Sequence, residues 1–170
     1  IYGPVIKDAI EKAKPENHGH ITVYLPHYHD QLLKNLFLQI PEYRFEIFSR
    51  NMQVVVEDRN IVFRPISNQH FTQSLIHCHG VLTGGGFETP AEALYLRKKL
   101  MVVPIRGQYE QQCNAAALQE MQVTVLKTIN DQFLAEIHRW LEQTTIPPMI
   151  KPVSKEVIID AVIERGMAIA

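Results

Sequence analysis

The sequence is poor in cysteine, in net charge and in long apolar runs. Only two of its 170 residues are cysteine, Cys78 and Cys113, which excludes a disulfide framework and a four-cysteine metal site and favours a reducing, cytoplasmic setting. The formal net charge of −1 argues against a surface that binds nucleic acid. Neither a membrane-spanning run nor a signal peptide is found, so the composition indicates an ordinary globular domain.

Short apolar segments rich in β-branched residues alternate with helix-forming segments. Strands are predicted at 20–25, 43–48, 61–63, 81–83, 100–105 and 123–126, with a short edge strand at 54–56. Helices are predicted at 31–40 with Asp30 as its cap, at 68–77, from Pro90 onward, at 108–121, around 133–141 and from Ser154. Because this alternation requires crossover connections, we predict an α/β fold: a three-layer, Rossmann-like domain with a mostly parallel sheet of about six strands and helices on both faces.

The predicted domain covers residues 20–150. Residues 1–19 are interpreted as an interdomain linker without a large apolar face, because Gly3-Pro4 and Pro15 interrupt it. Residues 151–170 are interpreted as a separate C-terminal helix. Within the helix at 108–121, helical spacing predicts an inward face made of Tyr109, Cys113, Ala116, Ala117 and Met121.

A glycine-rich turn joins the strand at 81–83 to the next helix. Three of its residues carry no side chain and let a ligand approach the backbone closely: Gly84, Gly85 and Gly86. Thr89 is a suitable N-cap, Pro90 suits the first helical position and Glu92 the third, so free N–H groups and the positive helix end would face a phosphate. The same residues have a plain structural interpretation, because Thr89 and Glu92 also form a capping box that needs no ligand.

Further polar residues follow the carboxyl ends of the predicted strands, where parallel sheets bind ligands. Glu110 and Gln111 offer groups suited to sugar hydroxyls, Arg64 can stack on a base, and the backbone of Ile66 can pair with a base edge. Structural alternatives stay open: Glu110 complements the helix dipole, Gln111 is solvated, and Arg64 belongs to a plain turn.

Two pairs of histidines resemble metal ligands. His27 and His29 lie on the ligand side of the predicted sheet, and His77 and His79 lie at its opposite end. No second set of ligands has a recognisable spacing, so we predict no metal site. His27 or His29 is better interpreted as a hydrogen-bond donor near a phosphate.

Residues 83–115 resemble the donor-binding segment of glycosyltransferases with two Rossmann-like domains, the GT-B fold. This group includes nucleotide-diphosphate-sugar enzymes such as plant and macrolide glycosyltransferases. The likeness rests on three features in order: the turn and helix from Gly85 to Glu92, the apolar strand 101–104 ending at a proline, and the Glu110-Gln111 pair followed by Asn114-Ala115. Plant enzymes have histidine where this sequence has Gly84, so a phosphate contact by that side chain is absent.

The resemblance implies a role for each of these residues. The diphosphate of the donor would be bound by four residues of the turn and the helix start: Gly84, Gly85, Gly86 and Thr89. Glu92 would bind the ribose hydroxyls, and Glu110 and Gln111 would bind the donor sugar. Arg64 and Ile66 would meet the base, most often uracil.

The implied function is that of the donor-binding half of a glycosyltransferase that moves a sugar from a UDP-sugar to an unidentified acceptor, with inversion. The resemblance places the general base in an N-terminal domain outside this sequence. The catalytic residues are therefore unknown, and the segment alone is expected to be inactive. The helix within 151–170 would cross back to that domain.

No metal or other cofactor is expected. Membrane association is expected only with a lipid acceptor, at the inner face of the membrane. Two alternatives remain: an isomerase of the same fold, such as a UDP-sugar 2-epimerase, and a non-catalytic module that binds a nucleotide or a partner.

Overall fold

The computed structural model describes residues 3–167, which form a sheet of seven strands surrounded by helices. The strands are β1 Ile21–Tyr24, β2 Phe45–Ser49, β3 Val56–Asp58, β4 Ile61–Pro65, β5 Gly80–Thr83, β6 Lys99–Val102 and β7 Thr124–Val125. The helices are α1 Asp8–Glu11, α2 Asp30–Phe37, α3 Asn68–His77, α4 Glu88–Tyr95, α5 Tyr109–Glu120, α6 Phe133–Glu142 and α7 Lys155–Met167.

The strand order is β3-β4-β2-β1-β5-β6-β7. All neighbouring strands are parallel except β3, which pairs antiparallel with β4. The predicted fold class, a mostly parallel α/β sheet with helices on both faces, is confirmed. From β1 the chain builds outward through β2 to β4, then returns to place β5 on the other side of β1. The boundary between β1 and β5 is therefore the topological switch point, where open α/β sheets bind ligands.

Two apolar cores cover the two faces of the sheet. One contains Phe37 of α2 and the α6 residues Phe133 and Trp140. The other contains Leu75 of α3 and Leu94 of α4. Alternate residues of the central strands face opposite cores, because side chains alternate along a strand. The near-continuous burial of β1, β5 and β6 follows from this two-sided cover.

The N-terminal segment is more tightly packed than predicted. Ile6 and Ile10 are 4% and 0% exposed and belong to the core beside α3 and α4. The backbone N–H of Val153 donates to the carbonyl of Pro4 at 3.1 Å. The segment has no large apolar face, yet two isoleucines four residues apart suffice to anchor it to the core.

Two predicted helix details are also wrong. Asp30 does not cap α2 from outside: it is the first helical residue, and its carboxylate accepts hydrogen bonds from Ser49 and Asn51 instead. In α5 the buried residues are Ala115 and Leu118, whereas Tyr109 is 80% exposed. Because α5 contains three consecutive alanines, its sides differ little in hydrophobicity. Packing against the rest of the protein therefore decides which side faces inward.

Among residues 3–167, no helix combines the length and the apolar character that crossing a membrane requires.

Candidate functional site

A cleft of about 120 Å³ opens at the switch point, beyond the carboxyl ends of β1 and β5. Several segments that lie far apart in the sequence line it together. Its lining residues are Tyr24, Pro26, His27, Thr83, Gly84, Gly86, Thr89, Pro90, Ile105 and Gln111. The structure therefore brings together the glycine turn, Thr89 and Gln111, three of the features predicted from the sequence.

The glycines of the turn differ in their surroundings. A Cβ atom on Gly85 would lie 2.6 Å from the backbone oxygen of Gln111, so helix α5 packs directly against this position. A Cβ atom on Gly86 would meet no heavy atom within 4 Å, and Gly86 lines the cleft. Gly85 is therefore required by packing within the protein, whereas Gly86 has open space around it and lines the cleft.

Gln111 fastens the turn to the start of α5. Its Oε1 atom accepts hydrogen bonds from the backbone N–H groups of Gly85 and Ile105, both at 3.0 Å. Its Nε2 atom donates to Gln108 at 2.7 Å, and Asn114 Nδ2 donates to the carbonyl of Gly85 at 3.1 Å. The backbone N–H of Gly85 is thus already paired with a protein side chain. The expectation that the N–H groups of the turn are free for a ligand is therefore wrong at Gly85.

Replacing Gln111 with alanine is expected to lower the free energy of unfolding by about 2 kcal/mol, because the buried Gly85 N–H and the N–H of Ile105 lose their acceptor. Urea unfolding measures this change. Gln112→Ala, on the neighbouring exposed position of α5, is the matched control and should change stability by less than about 0.5 kcal/mol. Equal small effects of the two substitutions would contradict the bracing role of Gln111.

Helix α4 begins earlier than predicted, at Glu88. Its N-cap is Phe87, which has right-handed helical dihedrals and makes no side-chain capping bond. Thr89 is therefore not the N-cap, Pro90 is the third helical residue rather than the first, and the predicted capping box does not form. Pro90 is tolerated there because the first turn of a helix has no internal partner for its N–H groups. Gly86, Thr89 and Pro90, at the start of α4, line the cleft.

Glu92 is a buried acid on α4, only 2% exposed. Lys7 of the N-terminal segment covers it: its Nζ atom lies 3.3 Å from Glu92 Oε1 and 2.9 Å from Glu88 Oε1. The geometry at Glu92 is poor, since Oε1 is buried without a hydrogen-bond partner among the described residues. Burial raises the pKa of Glu92, an effect that the positive charge of Lys7 partly offsets. Glu92 thus has an acceptor oxygen beneath a half-exposed lysine.

The remaining residues predicted for the site are Glu110, Ile66, Arg64 and His27. Glu110 is exposed at the first turn of α5, and Ile66 is 42% exposed after β4. Arg64 is turned along the sheet, with Nη2 donating to Glu46 Oε1 at 3.1 Å. His27 lines the cleft, where burial lowers its pKa and so favours the neutral imidazole. The structure does not bring Glu92, Glu110, Arg64 or Ile66 into the cleft itself.

A larger groove of about 540 Å³ lies beside the cleft, between α5 and the end of β7. Ile105 lines both cavities, while Ala116, Lys127 and Thr128 line only the groove. The smaller cleft remains the candidate site, because it lies at the switch point and contains the glycine turn.

Two participants were not predicted from the sequence as members of the site. Lys7 lies in a segment interpreted as a linker, and no local pattern connects it with Glu92. Tyr24 was assigned only to a strand, yet it lines the cleft because it is the last residue of β1. The signal for Tyr24 in the sequence is its position near the carboxyl end of a predicted strand, where parallel sheets bind ligands.

A sequence profile described as glycosyl transferase family 1 matches residues 1–145. No curated protein matches the sequence well enough to count as a relative. Among solved structures, the glycotransferase of kitacinnamycin aligns with a TM-score of 0.62 and 15% identity, over 84% of this chain and 41% of its own. UGT89C1 of Arabidopsis thaliana, solved in complex with UDP, aligns with a TM-score of 0.55 and 14% identity, over 79% of this chain and 37% of its own.

The solution structure of ALG13 aligns with a TM-score of 0.54 and 12% identity, over 87% of this chain and 95% of ALG13. The chain thus spans about two fifths of the first two proteins and nearly all of the third. At these identities the structural likeness establishes the fold alone, and the resemblance to a GT-B domain is confirmed. Because the profile covers most of the sequence, the chain belongs to glycosyl transferase family 1.

Proposed function

We propose that this chain is the donor-binding domain of a glycosyltransferase that takes its sugar from a UDP-sugar. The observation that carries the proposal is the position of the cleft, at the switch point and beside the start of α4. The presence of UDP in the related fold of UGT89C1 supports UDP as the nucleotide. The family assignment supports glycosyl transfer as the reaction.

The diphosphate would lie against Gly86 and Thr89 at the start of α4. Helix N-termini attract phosphate through their unpaired N–H groups and the helix dipole. Gly84 and Gly85 shape the turn that brings the chain to this position, with Gly85 held by Gln111. A neutral His27, which lines the same cleft, can donate a further hydrogen bond to a phosphate oxygen.

The ribose hydroxyls would bind Glu92. Its Oε1 atom lies 3.3 Å from Lys7 Nζ but makes no hydrogen bond among the described residues, so it can accept one from a ribose hydroxyl. Lys7 occupies the space above it, so binding would move the lysine toward Glu88, which already holds it at 2.9 Å. The donor sugar would meet Glu110 and the Nε2 side of Gln111, because Gln111 Oε1 is engaged by two backbone amides.

The base would lie near Ile66 and Arg64. Ile66 offers exposed backbone beyond β4, which is suited to the edge of uracil. The guanidinium of Arg64 is held by Glu46, so stacking on a base would use its outward face.

The acceptor site and the general base would be supplied by the enzyme's own N-terminal domain. Direct displacement at the anomeric carbon would invert its configuration, while the helix dipole of α4 stabilises the leaving diphosphate without a required metal. We propose that α7 crosses to that domain. It exposes four apolar side chains, a surface typical of one that another domain covers: Val157, Ile159, Val162 and Ile163.

Calorimetric titration of UDP tests the proposal. UDP should bind with measurable heat and raise the melting temperature, since a ligand that binds only the folded state stabilises it. The absence of both effects at millimolar UDP would overturn the proposal.

Replacing Glu110 with alanine is expected to preserve UDP binding and to remove any gain in affinity for an intact donor. The reason is that Glu110 would contact the sugar alone. UDP, UDP-glucose and UDP-N-acetylglucosamine are compared by calorimetry on each variant. Glu120→Ala is the matched control, because Glu120 is an exposed acid at the other end of the same helix. Equal loss of UDP and UDP-sugar binding in Glu110→Ala would contradict the assigned role.

A further inference from the structure

A cluster of three potential metal ligands lies at the end of the sheet opposite the cleft. Glu16, His18 and His77 each offer one donor atom, and these three atoms lie within 4.8 Å of one another. His18 Nε2 and Glu16 Oε2 are 3.0 Å apart. The cluster adjoins the starts of β1 and β5, so it is separate from the proposed nucleotide site.

The backbone holds the two parts of this cluster together. The N–H of His18 donates to the carbonyl of His77 at 2.8 Å, which fixes the N-terminal segment to the end of α3. Beside it, Lys98 Nζ donates to the carbonyl of Glu16 at 2.9 Å, and Asn17 Nδ2 lies 3.1 Å from His79 Nδ1. The imidazole rings of His18 and His77 stack, with centroids 4.7 Å apart and planes at 5°. The three donors are therefore carried on a fixed backbone, and only their side chains need to adjust.

One ring nitrogen of His77 is left without a partner. Nδ1 of His77 is buried and makes no hydrogen bond among the described residues. A buried imidazole nitrogen without a partner is unfavourable, since its desolvation is not compensated. The proposed nucleotide site uses none of the side chains of Glu16, His18 and His77.

The chemistry of the donor set selects the ligand. Two imidazole nitrogens and one carboxylate oxygen suit zinc and similar borderline divalent cations, with water in the fourth position. Magnesium and calcium prefer sets made of oxygen alone. Bond lengths of about 2.0–2.2 Å require the donors to move inward. Glu16 and His18 are exposed and can do so by rotating their side chains.

We propose that Glu16, His18 and His77 form a binding site for Zn²⁺ or a similar borderline divalent cation. The ion cross-links the N-terminal segment to the end of α3. Because the segment from Ile6 to His18 also carries Lys7, the ion restrains the same stretch of chain that covers Glu92. Sequence spacing did not show this site, since four strands and helix α2 separate His18 from α3, the helix that ends at His77.

The test is titration of ZnSO₄ into the metal-free 170-residue chain, by calorimetry and thermal unfolding, without nucleotide. We expect one ion per chain and a higher melting temperature. Replacing His18 with alanine or Glu16 with glutamine should each weaken Zn²⁺ binding more than about tenfold. Removing a residue that only hydrogen-bonds to a metal ligand already causes a loss of about this size, and these residues would bind the ion directly. Both substitutions leave the backbone bond between His18 and His77 in place.

The matched controls are His138→Ala and Glu42→Gln. These residues form another histidine–carboxylate pair, 3.5 Å apart and exposed, outside the cluster. They should bind Zn²⁺ like the parent chain. In the parent chain, the paramagnetic resonance spectrum of bound Cu²⁺ should show nitrogen coupling from two imidazoles, and in His18→Ala from one.

No saturable binding at millimolar Zn²⁺ would overturn the proposal. So would equal affinity in the cluster variants and the controls. Because no nucleotide is present, either result is independent of whether the chain binds UDP.

Discussion

Gly86→Ala is expected to weaken UDP binding by about thirtyfold while leaving the protein at least as stable as the parent chain. The added methyl group would meet no protein atom within 4 Å, and Gly86 lines the cleft. We therefore expect the methyl group to hinder the approach of a phosphate to this backbone. Loss of one charge-assisted hydrogen bond corresponds to about 2 kcal/mol. Stability should hold or rise by about 0.5 kcal/mol, since alanine restricts the unfolded chain more than glycine does.

Gly85→Ala is the matched control for this experiment. Its methyl group would lie 2.6 Å from the backbone oxygen of Gln111, so the start of α5 must shift. A drop in the free energy of unfolding of about 1–3 kcal/mol is expected, as for other overpacked sites. Urea unfolding and UDP calorimetry on both variants separate the two roles. Unchanged UDP affinity in Gly86→Ala would show that the diphosphate binds elsewhere.

Glu92→Gln is expected to weaken UDP binding by about tenfold or more and, at neutral pH, to raise stability. The affinity falls because the ribose hydroxyls lose a charged acceptor, worth about 1.5–3 kcal/mol. Stability rises because a buried carboxylate is unfavourable, and Lys7 compensates it incompletely. A residue kept only for structure would show the opposite effect on stability.

The pH dependence of this variant has a definite sign. The pKa of Glu92 is higher in the folded state than its ordinary value of 4.5. Its contribution to stability is therefore fully present below pH 4.5 and is lost as the pH rises through the folded pKa. Urea unfolding should show the advantage of Glu92→Gln at pH 7 and a smaller difference below about pH 4.5.

Glu88→Gln supplies the control for Glu92, because Glu88 shares Lys7 as a partner but has a side chain that is 65% exposed. It should change stability by less than about 1 kcal/mol, as exposed ion pairs do, and should lack the pH-dependent gain in stability expected of Glu92→Gln. If Glu92→Gln binds UDP normally and is less stable at pH 7, the carboxylate has a structural role instead.

The sequence was most informative where a local pattern is tied to local structure. The buried strands are recognisable as short β-branched runs, and α3 runs over the predicted residues 68–77. Its N-cap Ser67 accepts a hydrogen bond from the backbone of His70, an interaction within one turn. The alternation of strands and helices predicts the parallel sheet, since parallel neighbours need crossovers. The glycine turn lies at a strand end as predicted.

Local patterns failed where several residues compete for one role. Thr89 and Phe87 both stand near the start of α4, and the capping pattern selects Thr89. The chain adopts helical dihedrals from Phe87 onward instead, so the side chain of Thr89 lines the cleft rather than capping the helix. In α5 the side that faces inward depends on the packing of the helix against the glycine turn. The helix sequence by itself does not specify that packing.

By itself the sequence determined the fold class, the family and the position of the glycine turn, because hydrophobic period, turn residues and motif spacing are properties of neighbouring residues. Only the tertiary structure decided that Gly85 serves packing and Gly86 faces the cleft, that Gln111 braces the turn, and that Lys7 covers Glu92. Those distinctions depend on distances between segments far apart in the chain, which are fixed when helices pack on the sheet.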